Sequence, residues 1–362
     1  MPRGGPRRRL IGAPMSLPQL AVDLYSDTKT RPTAAMRRAM AAAEVGDEQA
    51  FEDPTVNALV ERVAALLGKE AAVFLPSGTM ANEIAYRLHV RPGEEIVLDV
   101  TAHAIDAEAG GPAALAGAML NAVPGTRGVF TARQLAAAIR PPGRHFPRTR
   151  CISVENTSNF GGGTVWPLAV LDEIGAVARA HGLASHLDGA RLMNAVVASG
   201  VPAARICRDF DSCWLDFSKG LGAPLGACLA GGRAFIEEAW RLKQQMGGAM
   251  RQAGIVAAGA LHALDHHIER LAEDHANAKH LAAGLAELPG IVIDPAAVET
   301  NILFFELDRP DLTAEAFDSG LRRHGVRMGA VGPQQIRAVT HLDVDRAGID
   351  RAIAAAARVL GH

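Results

Sequence analysis

Residues 214–224 read WLDFSKGLGAP, and this short stretch gives the strongest indication of both fold and chemistry. An apolar run ends at Ser218-Lys219, and a glycine-rich turn follows directly. Lysine is mostly a surface residue, whereas Lys219 is expected where a buried strand meets a turn, beside small residues that leave space. A partly desolvated amine has a lowered pKa and can form an imine with a carbonyl group. The position therefore favours a chemical role over a solvated charge.

Strand-like apolar runs and helical patterns alternate through most of the chain. Strand-like runs read AAVFLPSG, EEIVLD, CISVEN and LASHLD, while DPTVNALVERVAALLG has helical spacing, with Asp53 or Thr55 as cap and Gly68 as stop. Strands separated by helices predict an α/β fold, in which a mostly parallel sheet is covered on both faces. Ligands bind at the carboxyl ends of such strands. The candidate site residues are therefore the polar residues that end these runs: Ser77, His103, Asn156, Asp188 and Lys219.

The chain is long enough for two domains, because 362 residues exceed what one typical core supports. From about residue 262 a long polar helical stretch leads to strands such as ETNILFFEL and IRAVTHLDV. We therefore expect a large domain over residues 21–261 and a smaller α+β domain over residues 262–362. Residues 1–20 are predicted to form a disordered tail, because the basic start MPRGGPRRRLIGAP lacks the apolar stretch of a signal peptide.

Composition argues against several classes of partner. The 37 Lys and Arg nearly balance the 39 Asp and Glu, for a net charge of −2, so neither nucleic acid nor another highly charged partner is expected. No apolar run approaches the length of a membrane span. The cysteines form no C-x-x-C pair, and we expect reduced thiols in a cytoplasmic protein.

Two further motifs indicate a binding site when they are considered together with Lys219. In SHLDGAR a strand ends at Asp188, whose carboxylate can bind metal, cap a helix or hold a protonated nitrogen; alone, capping is the usual explanation. In PSGTMAN, Ser77, Gly78 and Thr79 lie between a strand and a helix, where N–H groups and hydroxyls form a phosphate cup, although Ser-Gly-Thr suits any turn. Together the parts fit pyridoxal 5′-phosphate, with its phosphate in the cup, its ring nitrogen on the aspartate and its aldehyde on the lysine.

With these motifs in order, the chain resembles the low-specificity L-threonine aldolases, which are fold type I, aspartate-aminotransferase-like enzymes that use pyridoxal phosphate. The resemblance rests on LYSDTKTRPT, EDPTVN, GKEAAVFLPSGTMAN, AHAIDAEAGG, ENTSN, HLDGARLMNAV, FSKGLGAPLGA, MRQAGI and VTHLD. It implies a large cofactor-binding domain with a smaller C-terminal domain, and cleavage of a β-hydroxy-α-amino acid to glycine and an aldehyde. It also implies a homo-oligomer, commonly a tetramer, with each site built at a dimer interface.

The resemblance assigns roles in cofactor binding residue by residue. Lys219 bonds the aldehyde of the cofactor, and Asp188 pairs with the ring nitrogen. His103 stacks on the ring, while residues 77–79 hold the phosphate. Arg251 in MRQAGI reaches a phosphate from a neighbouring subunit.

The same resemblance assigns the substrate-binding residues. Ser26, Arg191 and Arg337 bind the substrate carboxylate, and Arg191 also lies near the phenolic oxygen of the ring. The base that removes the β-hydroxyl proton has two candidates. His103 is the better one by residue type, because imidazole titrates near neutrality; the other is a water held by Ser158.

Two departures from the family pattern leave the substrate open. The family usually reads NTHN where this chain has Ser158 in place of the histidine, and a Tyr-Gly pair where this chain has Ala50-Phe51. Both fall where the β-substituent of the substrate is expected, so threonine, allo-threonine and related substrates stay open. A β-elimination with the same cofactor, and a cofactor-binding protein without catalysis, remain alternatives.

A possible metal site is the last candidate in the sequence. His262, His266 and Glu269 share a helix face with a spacing that suits metal ligands. Nothing else in the sequence supports a metal, so we expect a solvated helix face there and no bound metal.

Overall fold

The computed structural model describes residues 20–362 of the chain. The predicted tail over residues 1–20 therefore lies, up to residue 19, outside the described residues. The strands in the described range are β1 (Val22–Asp23), β2 (Ala71–Leu75), β3 (Glu95–Asp99), β4 (Met119–Val123), β5 (Thr149–Glu155), β6 (Ala184–Asp188), β7 (Ser212–Asp216), β8 (Ala227–Gly231), β9 (Ile291–Val292), β10 (Ile302–Leu307), β11 (Val326–Arg327), β12 (Gly329–Ala330) and β13 (Gln335–Val339).

Helices fill most of the connections between these strands. The α-helices are α1 (Ala34–Ala41), α2 (Pro54–Leu67), α3 (Gly78–His89), α4 (His103–Asp106), α5 (Ala132–Ala138), α6 (Leu168–His181), α7 (Leu192–Ser199), α8 (Ala203–Cys207), α9 (Arg233–Gln245), α10 (Gly254–His266), α11 (Leu271–Ala286), α12 (Ala314–Arg323) and α13 (Arg346–Leu360). Short 3₁₀ turns cover Asp27–Lys29, Glu48–Ala50 and Pro295–Ala297, and Pro112–Ala116 form a π-helical turn.

The larger sheet has seven strands in the order β2-β8-β7-β6-β5-β3-β4. β8 runs antiparallel to both of its neighbours, and the other neighbouring pairs are parallel. The predicted mostly parallel sheet is thus confirmed. Because the strands on either side of β6 run in its direction, their carboxyl ends meet at one edge of the sheet. Every residue of β3 and β7 is buried, as expected for strands covered on both faces.

Local capping explains where the first long helix begins and ends. The side chain of Asp53 accepts hydrogen bonds from the backbone N–H groups of Thr55 and Val56, and Pro54 occupies the first turn. Gly68 ends α2 at φ +64°, a left-handed conformation that glycine adopts without strain. Of the two predicted caps, the structure therefore selects Asp53, and the predicted stop at Gly68 is confirmed.

A smaller antiparallel sheet, in the order β12-β13-β10-β9, follows in the C-terminal part of the chain. Its hydrophobic cluster includes side chains from α11, α12 and α13. β1 pairs in parallel with β11, so Val22 and Leu24 pack in this C-terminal cluster although they come early in the chain. Three alanines of α10 pack instead in the cluster of the large sheet. The division of the chain at residue 262 stays a prediction.

Between residues 20 and 362, no helix combines the length and the apolar composition needed to cross a bilayer.

Candidate active site

A cavity of about 420 Å³ opens at the carboxyl edge of the large sheet. All but three of the site residues predicted from the sequence line it: Ser26, Ser77, Gly78, Thr79, His103, Asp188, Arg191, Lys219 and Arg337. They come from the ends of several strands, from the start of α3 and from β13 of the smaller sheet. Most of the residues that were predicted from their positions at strand ends or from the family resemblance therefore lie in one cavity.

Lys219 lies three residues after the end of β7, with most of its side chain buried. Its Nζ forms an ion pair with Asp216, and it lies 5.6 Å from the ring centroid of Trp214. The turn that follows passes through Gly222 at φ +76°, where a side chain is strained. Asp216 thus holds the amine in the cavity, and sequence reasoning did not assign it a role.

Asp188 is the last residue of β6 and is buried. Its carboxylate accepts hydrogen bonds from Asn82 Nδ2 at 2.8 Å and from the backbone N–H of Ala190 at 3.0 Å. Burial raises the pKa of Asp188, and the hydrogen bond from Asn82 opposes that shift. No lysine or arginine of residues 20–362 forms an ion pair with it. A buried carboxylate of this kind suits a cationic partner inside the cavity, such as a protonated ring nitrogen.

The start of α3 carries the three residues for which a phosphate cup is predicted. Ser77 caps the helix by accepting a hydrogen bond from the backbone N–H of Met80 at 3.3 Å. A Cβ at Gly78 would lie 2.1 Å from the indole of Trp214, so only glycine fits at that position. The exposed side chains of Ser77 and Thr79, together with the free N–H groups of the first turn, face the cavity. These donors suit a phosphate group.

His103 begins α4 and lies between two carboxylates. Its Nδ1 is 2.8 Å from Glu108 Oε1, and its backbone N–H donates to Glu155 Oε2 at 2.8 Å. The hydrogen bond to Glu108 raises the pKa of His103, while burial opposes this shift. Nε2 has no hydrogen-bond partner within residues 20–362 and is available to the cavity.

Two arginines and a serine form the expected carboxylate-binding end. Arg337 Nη2 donates to Asn159 Oδ1 at 2.7 Å, whereas its buried Nε finds no acceptor in the described part of the chain. Burial lowers the pKa of Arg337 to about 10, so it is still a cation at neutral pH. Arg191 is held by Asp27 through two hydrogen bonds of 2.7 Å. The unsatisfied Nε of Arg337 fits a substrate carboxylate.

Three predicted residues are not among those that line the cavity in a single chain. Asn156 is buried, and its backbone N–H donates to the backbone carbonyl of Asp188 at 2.9 Å. Ser158 is buried, and its Oγ accepts a hydrogen bond from the backbone N–H of Gly161 at 3.2 Å. Arg251 is exposed and pairs with Asp47 at 2.9 Å. Phe51, the other departure from the family pattern, is 64% exposed and packs edge-on against Trp240. Neither departure from the family pattern therefore reaches the cavity of one chain.

Sequence reasoning missed four carboxylates in and around the site: Asp27, Glu108, Glu155 and Asp216. Glu155 was the easiest to find, because it is the last residue of β5 and strand ends were the search rule. Burial raises the pKa of Glu155 to about 7, helped by the charge of Asp188. The contact of Asp27 with Arg191 joins residues far apart in sequence, and no local pattern indicates it.

The cavity residues fit pyridoxal 5′-phosphate and give no support for a metal. An amine, a carboxylate without a lysine or arginine partner among the described residues and a donor-rich helix start line the same cavity, and their chemistry suits the aldehyde, ring nitrogen and phosphate in turn. Across residues 20–362, no cluster of three or more His, Cys, Asp or Glu is arranged to hold a metal ion. The ring centroids of His262 and His266 are 4.4 Å apart, and the two rings are tilted by 52°.

Comparison with known proteins gives consistent results. The family model of the beta-eliminating lyases matches residues 23–308. Low-specificity L-threonine aldolase 1 of Arabidopsis thaliana is 42% identical over 327 residues, covering 89% of this chain and 91% of that protein. The low specificity L-threonine aldolase of Escherichia coli (strain K12) is 42% identical over 326 residues, covering 90% and 95%. The Leishmania major threonine aldolase structure superposes with a TM-score of 0.81 over 94% of this chain and 100% of that chain, and its 23% identity shows a shared fold.

Proposed function

Because this chain belongs to the beta-eliminating lyase family, we propose that it is a lyase that depends on pyridoxal 5′-phosphate and cleaves threonine-type β-hydroxy-α-amino acids to glycine and an aldehyde. One observation carries the proposal. Lys219, Asp188 and the start of α3 line a single cavity together with the arginines of the carboxylate-binding end. The names of relatives about 40% identical over most of the chain support the same activity.

The chain's own residues hold and orient both cofactor and substrate. When bound, pyridoxal phosphate supplies an electron-accepting ring that takes up the charge released at the substrate Cα. Lys219 would bond its aldehyde, Asp188 would hold its ring nitrogen, and residues 77–79 would hold its phosphate. Arg191 and Arg337 would fix the substrate carboxylate and so orient the Cα–Cβ bond for cleavage.

His103 is the group that fits removal of the β-hydroxyl proton. Its Nδ1 is occupied by Glu108, which leaves Nε2 directed at the cavity and able to accept a proton. A water held by Ser158 receives no support, because Ser158 Oγ is engaged by Gly161 away from the cavity.

Replacement of Lys219 tests the proposal. Lys219→Ala is expected to lose the visible absorbance of the covalently bound cofactor and to reduce glycine formation by at least a thousandfold, because no other lysine of residues 20–362 lines the cavity. Lys279→Ala, on α11 away from this cavity, is the matched control and keeps both signals. Normal turnover of the Lys219→Ala protein would contradict the proposal.

A substrate panel distinguishes aldol cleavage from elimination. Threonine, allo-threonine, phenylserine and hydroxyaspartate isomers are incubated with the enzyme, and glycine, aldehyde, keto acid and ammonia are measured separately. Equal amounts of glycine and aldehyde are expected. A keto acid with ammonia indicates β-elimination, and no change in the cofactor spectrum with any substrate indicates a protein without catalysis.

We also propose that the chain assembles as a homo-oligomer, with a tetramer as the expected form, and that it works in the cytoplasm. Three apolar side chains that are close in sequence to Arg251 or to its ion-pair partner Asp47 are exposed in the monomer: Val45, Phe51 and Ile255. Sedimentation velocity measures the assembly. Arg251→Ala is expected to weaken cofactor binding without dissociating the oligomer. The four cysteines are buried and free, which suits a reducing compartment.

A further inference from the structure

A pair of buried carboxyl groups lies next to His103. Glu83 on α3 and Glu108, two residues after α4, are 3% and 5% exposed. Within residues 20–362, three of their four carboxyl oxygens have no hydrogen-bond donor: Glu83 Oε1, Glu83 Oε2 and Glu108 Oε2. Two ionised carboxylates repel each other strongly in a buried site, whereas one shared proton removes the repulsion and supplies the missing donor.

The geometry connects this pair to the proposed catalytic base. The remaining oxygen, Glu108 Oε1, is 2.8 Å from His103 Nδ1 and accepts from Asn82 Nδ2 at 2.7 Å. Space for Glu83 depends on Gly111, because a Cβ there would lie 2.0 Å from Glu83 Oε1. Glu108 is the member of the pair that contacts His103 directly.

The groups around the pair leave it without a cation other than His103. Burial raises the pKa of Glu83 to about 8, and the charge of Glu108 adds to the shift. The residues of Pro112–Ala116, which pack against α3, carry no titratable side chain, and α9 packs apolar side chains on it. The other titratable groups facing the pair or its partners are Tyr86, Cys151, Glu155, His186 and Asp188.

None of those neighbours offsets a second negative charge on the pair. Burial raises the pKa values of Tyr86 and Cys151 well above their ordinary values, so both stay neutral. Burial lowers the pKa of His186, which keeps its imidazole neutral as well. Glu155 and Asp188 can only add negative charge. A proton held between Glu83 and Glu108 is therefore the arrangement with the least uncompensated charge.

We infer that Glu83 and Glu108 share one proton and that Glu83 is a positioning residue, which acts on His103 by setting the charge of Glu108. With the proton in place, Nδ1 of His103 faces one negative charge, and Nε2 can take up and release a proton near neutral pH. Loss of the shared proton places a second negative charge beside His103. The imidazolium form is then favoured, and Nε2 no longer accepts a proton. The effect on turnover rests on the proposed function, but the shared proton does not.

Infrared spectroscopy and thermal melting of the cofactor-loaded protein test the shared proton. The wild-type protein is expected to show a protonated-carboxyl carbonyl band at pH 6 that disappears as pH rises through about 8. Glu83→Gln removes the part of that band that titrates near pH 8, whereas the contribution of Glu155, which titrates near pH 7, remains. A carboxyl group whose pKa is raised in the folded state makes the protein less stable as pH rises toward that pKa. Glu83→Gln lacks this group, so its Tm is expected to fall less between pH 6 and pH 9 than the Tm of the wild type.

Glu95→Gln is the matched control, because Glu95 is equally buried but has its donors from Arg140, Thr149 and Asn121 at the far end of β3. It is expected to keep the carboxyl band and the wild-type pH dependence of Tm. A wild-type spectrum without a titrating carboxyl band overturns the inference, and this measurement needs no variant to fold. Equal Tm slopes for wild type and Glu83→Gln overturn it too.

The pH dependence of kcat/KM tests separately whether Glu83 positions His103. The wild-type profile is expected to bend near pH 8, and Glu83→Gln to lose that inflection while Glu95→Gln keeps it. An unchanged profile in Glu83→Gln overturns the positioning role. If the wild-type protein forms no glycine from any substrate, the proposed function fails, whereas the infrared and melting results still decide the shared proton.

Discussion

Arg191 illustrates how one charged side chain is prepared for a substrate by a partner distant in sequence. Its Nε and Nη2 each donate to Asp27 at 2.7 Å, and both side chains are buried. Burial opposes ionisation of Asp27, but the charge and hydrogen bonds of Arg191 outweigh it and lower the pKa of Asp27. Asn301 Nδ2 also donates to Asp27 at 3.1 Å. The guanidinium is therefore fixed in orientation, with Nη1 left for a carboxylate.

Removal of the Asp27 charge is expected to harm both folding and substrate binding. Asp27→Asn leaves Arg191 as a buried cation without its counter-ion, which costs about 3–5 kcal/mol of unfolding free energy. KM for the amino acid should rise as well, because the guanidinium loses its fixed orientation. Urea unfolding and steady-state kinetics measure the two effects. Asp265→Asn is the control, because its pair with Arg62 is solvent-exposed and contributes little. Unchanged stability and KM in Asp27→Asn would refute this assignment.

Helix α3 shows how one element combines a structural and a binding task. Its first turn provides the proposed phosphate cup, and its next turn carries Asn82, which donates to both Asp188 and Glu108. Trp214 Nε1 donates to Asn82 Oδ1 at 2.7 Å and so sets the orientation of that amide. The same indole packs against Gly78 and fixes how closely the helix approaches β7. Cup and ring-nitrogen partner are thereby held at a constant separation.

An added methyl group at Gly78 is expected to disturb this element. In Gly78→Ala the new Cβ meets the Trp214 indole at 2.1 Å, so the helix start has to move. We expect cofactor affinity to fall at least tenfold, which corresponds to about 1.4 kcal/mol. Equilibrium dialysis of the cofactor-free protein measures the affinity. Gly232→Ala, at the start of α9, is the control, because its Cβ meets nothing closer than 3.9 Å. Wild-type affinity in Gly78→Ala would argue against the cup.

The cavity as a whole depends on parts of the chain that are far apart in sequence. Lys219, Asp188 and Glu155 belong to the large sheet, whereas Arg337 lies on β13 of the smaller one and contacts Asn159. Several carboxylates meet in this space with few cations among them. Burial raises the pKa of Glu155 to about 7 and raises that of Asp188. A cationic ring bound in this site would lower the electrostatic repulsion between the carboxylates.

This accumulation of carboxylates predicts how stability depends on pH. The raised pKa means that Glu155 keeps its proton in the folded state to about pH 7, while the unfolded chain loses it near pH 4.5. Stability of the cofactor-free protein therefore falls as pH rises through that window, by about 3 kcal/mol for Glu155 alone. With pyridoxal phosphate bound, the cation beside Asp188 flattens the dependence. Melting curves from pH 5 to pH 9 measure both forms, and a Tm that rises with pH in the cofactor-free protein would contradict the argument.

The sequence determined the strand and helix alternation, the cap and stop of α2 and the residues at the strand ends. It could do so because burial, capping and strand endings depend on residues that are close together in sequence. Parallel strands also bring their carboxyl ends to one edge of the sheet. Lys219, Asp188 and the Ser77 turn therefore meet in one cavity, as expected from their positions.

Only the tertiary structure decided which partners these residues have. Asp27 pairs with Arg191, Asn159 with Arg337, and Glu83 approaches Glu108, and no local pattern encodes contacts between such distant or differently placed residues. It also decided that Ser158 and Phe51 lie outside the cavity of a single chain. The physical reason is that the charge and hydrogen bonding of a buried group depend on whatever the fold packs around it, and that environment does not exist before the chain is folded.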